Sequence, residues 1–305
     1  MRLRRRGGII LEHREGILHL DPRRPVGEAF ISHGHSDHHP RRLEGSRIHA
    51  TPETVEILRA KGVGDPEQTV LGRELPAGHI LGSSMLLVEV EGMRVLYTGD
   101  FRLEGGPLSP PPPRVRADVL VMEATYGHPR HVFPPKEEEF DRLAEWVERH
   151  ERVLLNCYSV GKAQEVIVEL ARRMGRSILE DIQVSRSVGR INEAVWDPVY
   201  RLTGIDLREL EVSDAPGRGR IFIAPAGSRL SKALWGRIPR SFLSGWSVGG
   251  FVISDHSDYP SLLRFVETVD PELVVVAYGY RDEFSRLLEL ELGVRALPLR
   301  GAIEI

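Results

Sequence analysis

A cluster of histidines directly after an apolar run constrains this chain more than any other feature. The apolar run EAFIS predicts a short strand that leads into ISHGHSDHHP, residues 31–40. Four residues of that stretch form the pattern His-x-His-x-Asp-His: His33, His35, Asp37 and His38. Two imidazoles suit one divalent ion, and a carboxylate with a further imidazole suits a second. The pattern therefore predicts a two-metal site, in which adjacent ions can polarise a scissile bond together.

Three residues elsewhere in the chain are candidate partners of the cluster. His79 in LPAGHILG and Asp100 in VLYTGDFR each stand where an apolar segment meets a glycine-containing turn, the position from which a sheet presents ligands at its edge. We expect His79 to complete three imidazoles on one ion and Asp100 to bridge both. Asp21, which ends ILHLD, either orients a ligand imidazole or caps a turn. His39 lies one residue past the pattern and is predicted to face solvent.

Composition sets broad limits. The chain has 305 residues, of which 41% are hydrophobic and 28% charged, as in soluble globular proteins. No apolar run approaches the ~18 residues of a membrane span, and the basic N-terminus lacks the apolar core of a signal peptide. Cys157 is the single cysteine, which excludes a cysteine-rich zinc site and predicts a reducing cytoplasm. The net charge of −3 does not by itself indicate a nucleic-acid binder.

The order of predicted elements indicates two α/β units. Short apolar strands dominate the first 125 residues, and strands alternate with amphipathic helices after KEEEFDRLAEWVERH. Such alternation is typical of a small parallel βαβαβ unit. We therefore predict one unit built from residues 1–127 and 246–305, with a second unit, residues 128–245, inserted between them.

The ligand pattern resembles that of the metallo-β-lactamase fold, an αββα sandwich with a dinuclear site. The resemblance implies two divalent ions, zinc first and manganese as the alternative. It also implies the ligand set His33, His35, Asp37, His38, His79 and Asp100. Because this fold serves many reactions, the fold alone does not name a substrate.

Further motifs narrow the resemblance to the β-CASP nucleases of this fold. VMEATYG (121–127) resembles their acidic motif, YSVGKAQEV (158–166) the start of their inserted domain, and SDHSDYPSL (254–262) their later histidine motif. FLSGW (242–246) and YGYRDEF are most similar to DNA-ligase-associated exonucleases of bacteria and archaea. The branch that cuts RNA at messenger 3′ ends shares segments similar to GHILGSSM and YTGDFR.

The resemblance implies catalytic roles for Asp37, Glu123 and His256. A carboxylate that holds an imidazole favours its protonated form, so Glu123 is expected to help His256 protonate the leaving 3′ oxygen. The alternatives are a buried structural carboxylate for Glu123 and an ordinary loop residue for His256.

A phosphate-binding site is predicted at the start of the inserted unit. Gly161, Lys162 and the amides that open the following helix form a pattern suited to a backbone phosphate. Ser159 and Gln164 are weaker candidates for the same site. The alternative is an ordinary turn between a strand and a helix.

One departure from the family pattern concerns the second ion. Tyr278 stands where the family usually places a histidine ligand. A phenol with a pKa near 10 is a poorer ligand, so the second ion is expected to bind loosely, or to depend on Asp37, His38, Asp100 and substrate. Some DNA-directed members lack this histidine, which favours DNA over RNA.

These observations lead to one main functional hypothesis and three rivals. The main hypothesis is a metal-dependent nuclease that processes DNA ends as an exonuclease, with a ligase or helicase as partner and no membrane association. The rivals are an RNA 3′-end nuclease of the same family, a hydrolase of small esters or thioesters, and a non-catalytic nucleic-acid-binding relative.

Overall fold

The computed structural model describes residues 1–43, 45–246 and 250–305. Contacts within the chain define two compact units. The first comprises Met1–Val132 and His256–Ile305, and the second comprises Phe133–Asp255. The assignment of functional domains with bounds near 127 and 246 stays a prediction. Within these described ranges, no helix has both the length and the apolar character needed to cross a membrane.

Two sheets form the framework of the first unit. The seven-stranded sheet has the order β18-β1-β2-β3-β4-β5-β6. Its strands are β1 (Arg2–Arg5), β2 (Ile9–His13), β3 (Gly16–Leu20), β4 (Glu28–Phe30), β5 (Arg47–His49), β6 (Glu67–Gln68) and β18 (Ala302–Glu304). The six-stranded sheet has the order β17-β16-β10-β9-β8-β7. Its strands are β7 (Arg73–Pro76), β8 (Ser84–Val90), β9 (Met93–Tyr97), β10 (Val119–Met122), β16 (Leu273–Val276) and β17 (Arg295–Pro298).

The two sheets share an apolar core, and helices cover their outer faces. In β10, Val119 and Val121 belong to the core between the sheets, whereas Leu120 and Met122 belong to the core under two helices. Alternate side chains of a strand point to opposite faces, so a strand buried on both sides is apolar throughout. The helices of this unit are α1 (Pro52–Ala60), α6 (Tyr259–Val269) and α7 (Arg281–Leu292). The predicted αββα sandwich is confirmed.

The start of α1 joins two of the loops that carry candidate ligands. Thr51 caps the helix by accepting a hydrogen bond from the Thr54 backbone N–H at 3.2 Å. Both threonine hydroxyls donate to the Gly82 carbonyl, at 2.6 and 2.9 Å. Gly82 has φ +77°, and a Cβ there would lie 2.9 Å from the Thr54 nitrogen. Only glycine therefore allows the turn after His79 to approach the helix this closely.

The second unit contains a five-stranded sheet with the order β13-β12-β14-β11-β15, and every pairing in it is parallel. Its strands are β11 (Val153–Asn156), β12 (Ile182–Val184), β13 (Glu211–Val212), β14 (Ile221–Ala224) and β15 (Arg240–Phe242). Its helices are α2 (Lys136–Glu148), α3 (Lys162–Met174), α4 (Arg186–Thr203) and α5 (Arg229–Leu234), with 3₁₀ turns at Arg176–Asp181 and Leu207–Glu209. This is the parallel α/β arrangement that the alternation of elements predicts.

Candidate metal centre

One carboxylate oxygen of Asp100 lies among four imidazoles of the first unit. Its Oδ2 is 3.2 Å from His38 Nε2, 3.6 Å from His33 Nε2, 3.9 Å from His79 Nε2 and 4.0 Å from His256 Nε2. Asp100 and His79 are almost fully buried, and His33 is completely so. The geometry therefore brings residues from four separate segments to one buried point.

Short loops at strand ends bring these side chains together. The loop after β4 carries His33, His35 and His38, the turn between β7 and β8 carries His79, and Asp100 follows β9. His35 completes a compact group, since its Nδ1 lies 3.1 Å from His79 Nε2. One ligand atom each from His33, His35, His79 and Asp100 lies within 4.8 Å of the others, which is a suitable arrangement for one ion.

Asp37 lies at the exposed side of this cluster. Its side chain is 66% exposed, and its Oδ2 is 3.9 Å from His38 Nε2. An exposed carboxylate next to a buried imidazole can complete a second ion site that remains open to substrate.

Asp21 orients His38 from the side opposite Asp100. Its Oδ2 accepts hydrogen bonds from His38 Nδ1 at 2.6 Å, Ser32 Oγ at 2.6 Å and Tyr97 OH at 2.7 Å. Its Oδ1 accepts from the Ser32 backbone N–H at 2.7 Å. Asp21 has φ +46°, a left-handed backbone that this dense set of bonds holds in place. Of the two roles considered for Asp21, this geometry corresponds to the orientation of an imidazole.

The hydrogen bonds around Asp21 fix which nitrogens carry lone pairs. Ser32 has one hydroxyl proton, which it donates to Asp21, so it accepts from His33 Nδ1 at 3.0 Å. The Nε2 of His33 is then an acceptor, and it is buried without a hydrogen-bond partner among the described residues. A buried acceptor that faces the Asp100 carboxylate needs a cation, and this nitrogen and oxygen donor set fits zinc or manganese.

The pKa shifts of the cluster point to the same need for positive charge. Burial, together with the charge of His38, holds the pKa of His33 well below its usual range, so His33 stays neutral. Burial alone would lower the pKa of His38, but the Asp100 and Asp21 carboxylates raise it well above normal. Burial would likewise raise the pKa of Asp100, but His38 and His256 hold it well below its usual range. The cluster is thus built around charges that attract a cation.

Glu123 and His256 form a second arrangement beside Asp100. His256 Nδ1 donates to Glu123 Oε1 at 2.8 Å, and the same oxygen accepts from the Phe101 backbone N–H at 3.2 Å. Glu123 Oε2 accepts from the Thr125 backbone N–H at 2.9 Å. Glu123 is buried, whereas the His256 side chain is 21% exposed. The pair therefore presents one imidazole nitrogen toward Asp100, and the catalytic roles stay predictions.

Tyr278 lies next to His38 but contributes no charged ligand. The two rings are 5.8 Å apart between centroids, and the Arg5 guanidinium lies 5.2 Å from the Tyr278 centroid. Burial, aided by the charge of Asp21, raises the pKa of Tyr278 to about 12. The phenol consequently stays protonated at neutral pH, whereas a phenol must lose its proton to act as an anionic oxygen ligand of a metal ion.

The prediction that His39 faces solvent is wrong. His39 is 5% exposed, its Nδ1 donates to the Pro40 carbonyl at 2.7 Å, and its Nε2 accepts from Lys61 Nζ at 2.7 Å. Burial lowers the pKa of His39 to about 4, so the ring is neutral and can accept. Lys61 also donates to the Gly34 carbonyl at 2.7 Å and to Ser36 Oγ at 3.0 Å. Sequence reasoning missed Lys61, which braces the ligand loop from the end of α1.

In the second unit, Lys162 is engaged in an internal ion pair. Its Nζ donates to Asp255 Oδ1 at 2.6 Å and to the Ile253 carbonyl at 2.8 Å, and the residue is 2% exposed. A phosphate-binding lysine needs an accessible ammonium, and this one is covered. The arrangement differs from what the phosphate interpretation expects, and Lys162 and Asp255 supply each other's buried partner.

The other predicted phosphate-binding residues form the cap of α3. Gln164 Oε1 accepts from the Gly161 backbone N–H at 2.8 Å. Gln164 Nε2 donates to the Ser159 carbonyl at 3.1 Å and to Asn192 Oδ1 at 2.8 Å. This is the capping-box geometry that stabilises the beginning of a helix. These contacts explain the motif without a ligand, so its phosphate role stays a prediction.

Comparison with known proteins gives several relatives, although no family model matches the sequence. A probable DNA ligase from Opitutus terrae is 32% identical over 329 residues, covering 92% of this chain and 31% of that protein. An RNase J-like protein from Methanocaldococcus jannaschii is 32% identical over 266 residues, covering 82% and 60% respectively. Cleavage and polyadenylation specificity factor 73 from Drosophila melanogaster is 25% identical, covering 69% and 40%. The chain thus spans about a third to three fifths of these relatives.

Solved structures show the same fold. A protein of unknown function from Enterococcus faecalis aligns with a TM-score of 0.64 over 100% of this chain and 99% of that one, at 14% identity. The αββα layers and the histidine cluster define a protein of the metallo-β-lactamase fold. With the relatives above, they show that this chain belongs to the β-CASP nucleases of that fold, a family of metal-dependent hydrolases. The predictions of family and fold are confirmed.

Proposed function

We propose that this protein is a metal-dependent nuclease that hydrolyses phosphodiester bonds at DNA ends. The observation that carries the proposal is the buried Nε2 of His33, which faces Asp100 and has no hydrogen-bond partner among the residues that the structure describes, beside the pair of Glu123 and His256. The His33 nitrogen and the Asp100 carboxylate are suited to bind a cation, and His256 places a proton donor next to the same carboxylate.

The ligands divide between two ions in this proposal. His33, His35 and His79 would hold one ion and Asp37 and His38 the other, with Asp100 available to both. When bound, two divalent ions supply Lewis acidity that activates water and offsets phosphate charge. The nitrogen and oxygen donors fit zinc first, with manganese as the alternative.

His256 serves as the general acid. Glu123 accepts a hydrogen bond from the Nδ1–H of His256, which fixes the orientation of the ring and favours the imidazolium. As water oxygen bonds to phosphorus and the bond from phosphorus to the 3′ oxygen breaks, Nε2 of His256 gives its proton to that oxygen. The products are a free 3′ hydroxyl and a 5′ phosphate.

DNA is the proposed substrate, with a ligase as partner. One relative bears the name of a probable DNA ligase and matches this chain over 31% of its own length, which supports a function that accompanies ligation. The neutral Tyr278 beside His38 supports a second ion held by Asp37, His38, Asp100 and a substrate oxygen. RNA is the competing substrate, since other relatives are named RNase J-like protein and endoribonuclease.

Cleavage of end-labelled nucleic acids tests the proposal. Purified protein is stripped of metal, reloaded with Zn²⁺ or Mn²⁺, and incubated with single-stranded DNA, duplex DNA with overhangs, and RNA of the same sequence. We expect faster cleavage of DNA than RNA, products with 5′ phosphates, and loss of cleavage in Asp37→Ala and His38→Ala. A matched control is His13→Ala, which removes a histidine at the end of β2.

Three results would contradict the proposal. Cleavage that persists in both variants would place the activity in a contaminant. Two bound ions without cleavage of any nucleic acid would indicate another reaction, and thioester turnover would then identify it. Failure to bind metal, with nucleic acid still bound, would indicate a non-catalytic relative.

A further inference from the structure

The second unit contains a long stretch without acidic residues. Residues 215–254 include six lysines and arginines and no aspartate or glutamate, although the whole chain has a net charge of −3. The six are Arg218, Arg220, Arg229, Lys232, Arg237 and Arg240. A local reversal of charge in an acidic chain marks a surface for an anionic partner.

Four of these cations follow β14 and lack compensating charges. Arg229, Lys232 and Arg237 are exposed, Arg240 is half-buried, and none of the four makes an ion pair with a residue of the described ranges. One terminal nitrogen of Arg240, Nη1, is buried without a hydrogen-bond partner in that part of the chain. Paired arginines elsewhere in the unit contrast with this: Arg173 contacts three carboxylates.

An exposed aromatic ring lies within this basic segment. Trp235 follows α5 and is 51% exposed, although the Leu234 side chain before it is buried in the core of the unit. The guanidinium carbon of Arg240 lies 3.1 Å from the Trp235 ring centroid. With Arg240 on one face and half of the residue exposed, the ring has a free surface on which a flat group can stack.

This combination fits single-stranded nucleic acid. Unpaired bases expose their faces for stacking on aromatic rings, and the adjacent phosphates attract arginine and lysine. Duplex DNA hides its base faces and gains only the phosphate contacts.

We propose that the surface formed by Arg229, Lys232, Trp235, Arg237 and Arg240 binds a single-stranded segment of nucleic acid, with one base stacked on Trp235. The inference rests on the proposed nuclease function and adds to it a binding surface on the second unit. It requires neither a metal ion nor a catalytic residue.

The chain offers a matched control stack in the same unit. Arg208 lies 3.5 Å from the Trp196 ring centroid, but its guanidinium is paired with Asp206 at 2.7 Å. Both stacks place a guanidinium over an indole, but the Arg208 charge is paired and Trp196 is half-buried, whereas Trp235 is exposed. A general effect of removing a stacked indole will therefore appear in both variants, whereas a binding role will appear only at Trp235.

The test measures binding of fluorescein-labelled oligothymidylate by anisotropy in EDTA, so that no cleavage occurs. We expect Trp235→Ala to weaken binding about 5- to 150-fold, the loss of one stacked base, and Trp235→Phe to retain most of the affinity. Trp196→Ala should bind as the wild type does. In the triple variant Arg229→Gln/Lys232→Gln/Arg237→Gln, the slope of log K against log salt should fall by about 2.

Wild-type affinity in Trp235→Ala, or an equal loss in Trp196→Ala, would overturn the inference, as would an unchanged salt slope in the triple variant. Hydrolysis of bis(p-nitrophenyl) phosphate by the metal-loaded proteins separates this failure from failure of the proposed function. If the wild type hydrolyses this small diester while Trp235→Ala binds DNA normally, only the surface assignment fails. If no protein hydrolyses it or any nucleic acid, the nuclease proposal fails, and the anisotropy result still decides the surface.

Discussion

Removal of Asp255 should destabilise the second unit strongly, because it would leave a buried ammonium without its partner. Lys162 and Asp255 have side chains that are 2% and 5% exposed, and their charged atoms are 2.6 Å apart. A second cation, Lys136, lies 4.0 Å from Asp255 but is paired with Glu165 at 2.7 Å. Breaking one partner of such a pair typically costs about 3–5 kcal/mol.

The expected change in melting temperature follows from that cost. At about 2–4 °C per kcal/mol for a domain of this size class, Asp255→Ala should lower Tm by about 6–20 °C. Replacing both partners by apolar residues of similar volume, in Lys162→Met/Asp255→Leu, should recover most of that loss, since neither charge then remains buried.

Tryptophan fluorescence can follow this unit separately. All four tryptophans of the chain, at positions 146, 196, 235 and 246, belong to the unit Phe133–Asp255. A thermal scan by fluorescence therefore reports its unfolding, and circular dichroism reports both units. The exposed pair of Arg149 with Glu145 provides a control, because Glu145→Ala should change Tm little.

Two results would refute the reasoning. An unchanged Tm in Asp255→Ala would mean that the ammonium is not held by this carboxylate. If the Tm of the double variant is as low as that of Asp255→Ala, the unpaired buried charge of Lys162 is not the cause of the lost stability. If the double variant is stable but loses affinity for nucleic acid, Lys162 has the phosphate role that its sequence motif suggests.

Three further predictions each concern a single residue. Burial raises the pKa of Cys157 to about 12, so at pH 8 its thiolate should be about a thousandfold scarcer than in unfolded protein. Iodoacetamide should therefore label Cys157 only in denaturant, and rapid labelling of the folded protein would contradict this. Glu123→Gln should lower kcat about 10²–10⁴-fold with unchanged metal content, because His256 loses the carboxylate that favours its protonated form. An unchanged kcat, or loss of bound metal, would contradict the role of Glu123 as the partner of the general acid His256. Tyr278→His should raise the number of ions retained after gel filtration, because an imidazole replaces a protonated phenol beside His38; unchanged retention would show that this position does not face the second ion.

The sequence singles out the residues of the cluster because local patterns mark them, and the structure brings them together, while their roles as metal ligands stay predictions. His33 follows β4 of the seven-stranded sheet, whereas His79 and Asp100 follow β7 and β9 of the six-stranded sheet, so the cluster lies where strands of both sheets end. The αββα layers follow in the same way from strands that are apolar throughout, such as β10. These signals lie within a few residues of each element and need no knowledge of distant contacts.

The sequence does not reveal an environment that a distant residue decides, which made the expectation for His39 wrong and hid the internal ion pair of Lys162, whose phosphate role stays a prediction. His39 is adjacent to the ligand pattern and looks exposed, but Lys61 covers it from the end of α1, 22 positions away. Lys162 lies in a sequence typical of an anion site, yet Asp255, 93 positions later, occupies its ammonium. Neither partner carries a local signal, because both contacts depend on the packing of elements far apart in the chain.

The most direct test of the account is the rate of cleavage of end-labelled single-stranded DNA as metal is added to stripped protein, in the wild type and in Asp100→Asn. This substitution keeps the shape of the side chain and removes the charge that lies among four imidazoles. We expect a wild-type rate that saturates at two equivalents of ion, and a rate at least about a thousandfold lower in Asp100→Asn, equivalent to about 4 kcal/mol. Cleavage by stripped protein, or equal rates in the two proteins, would contradict the account.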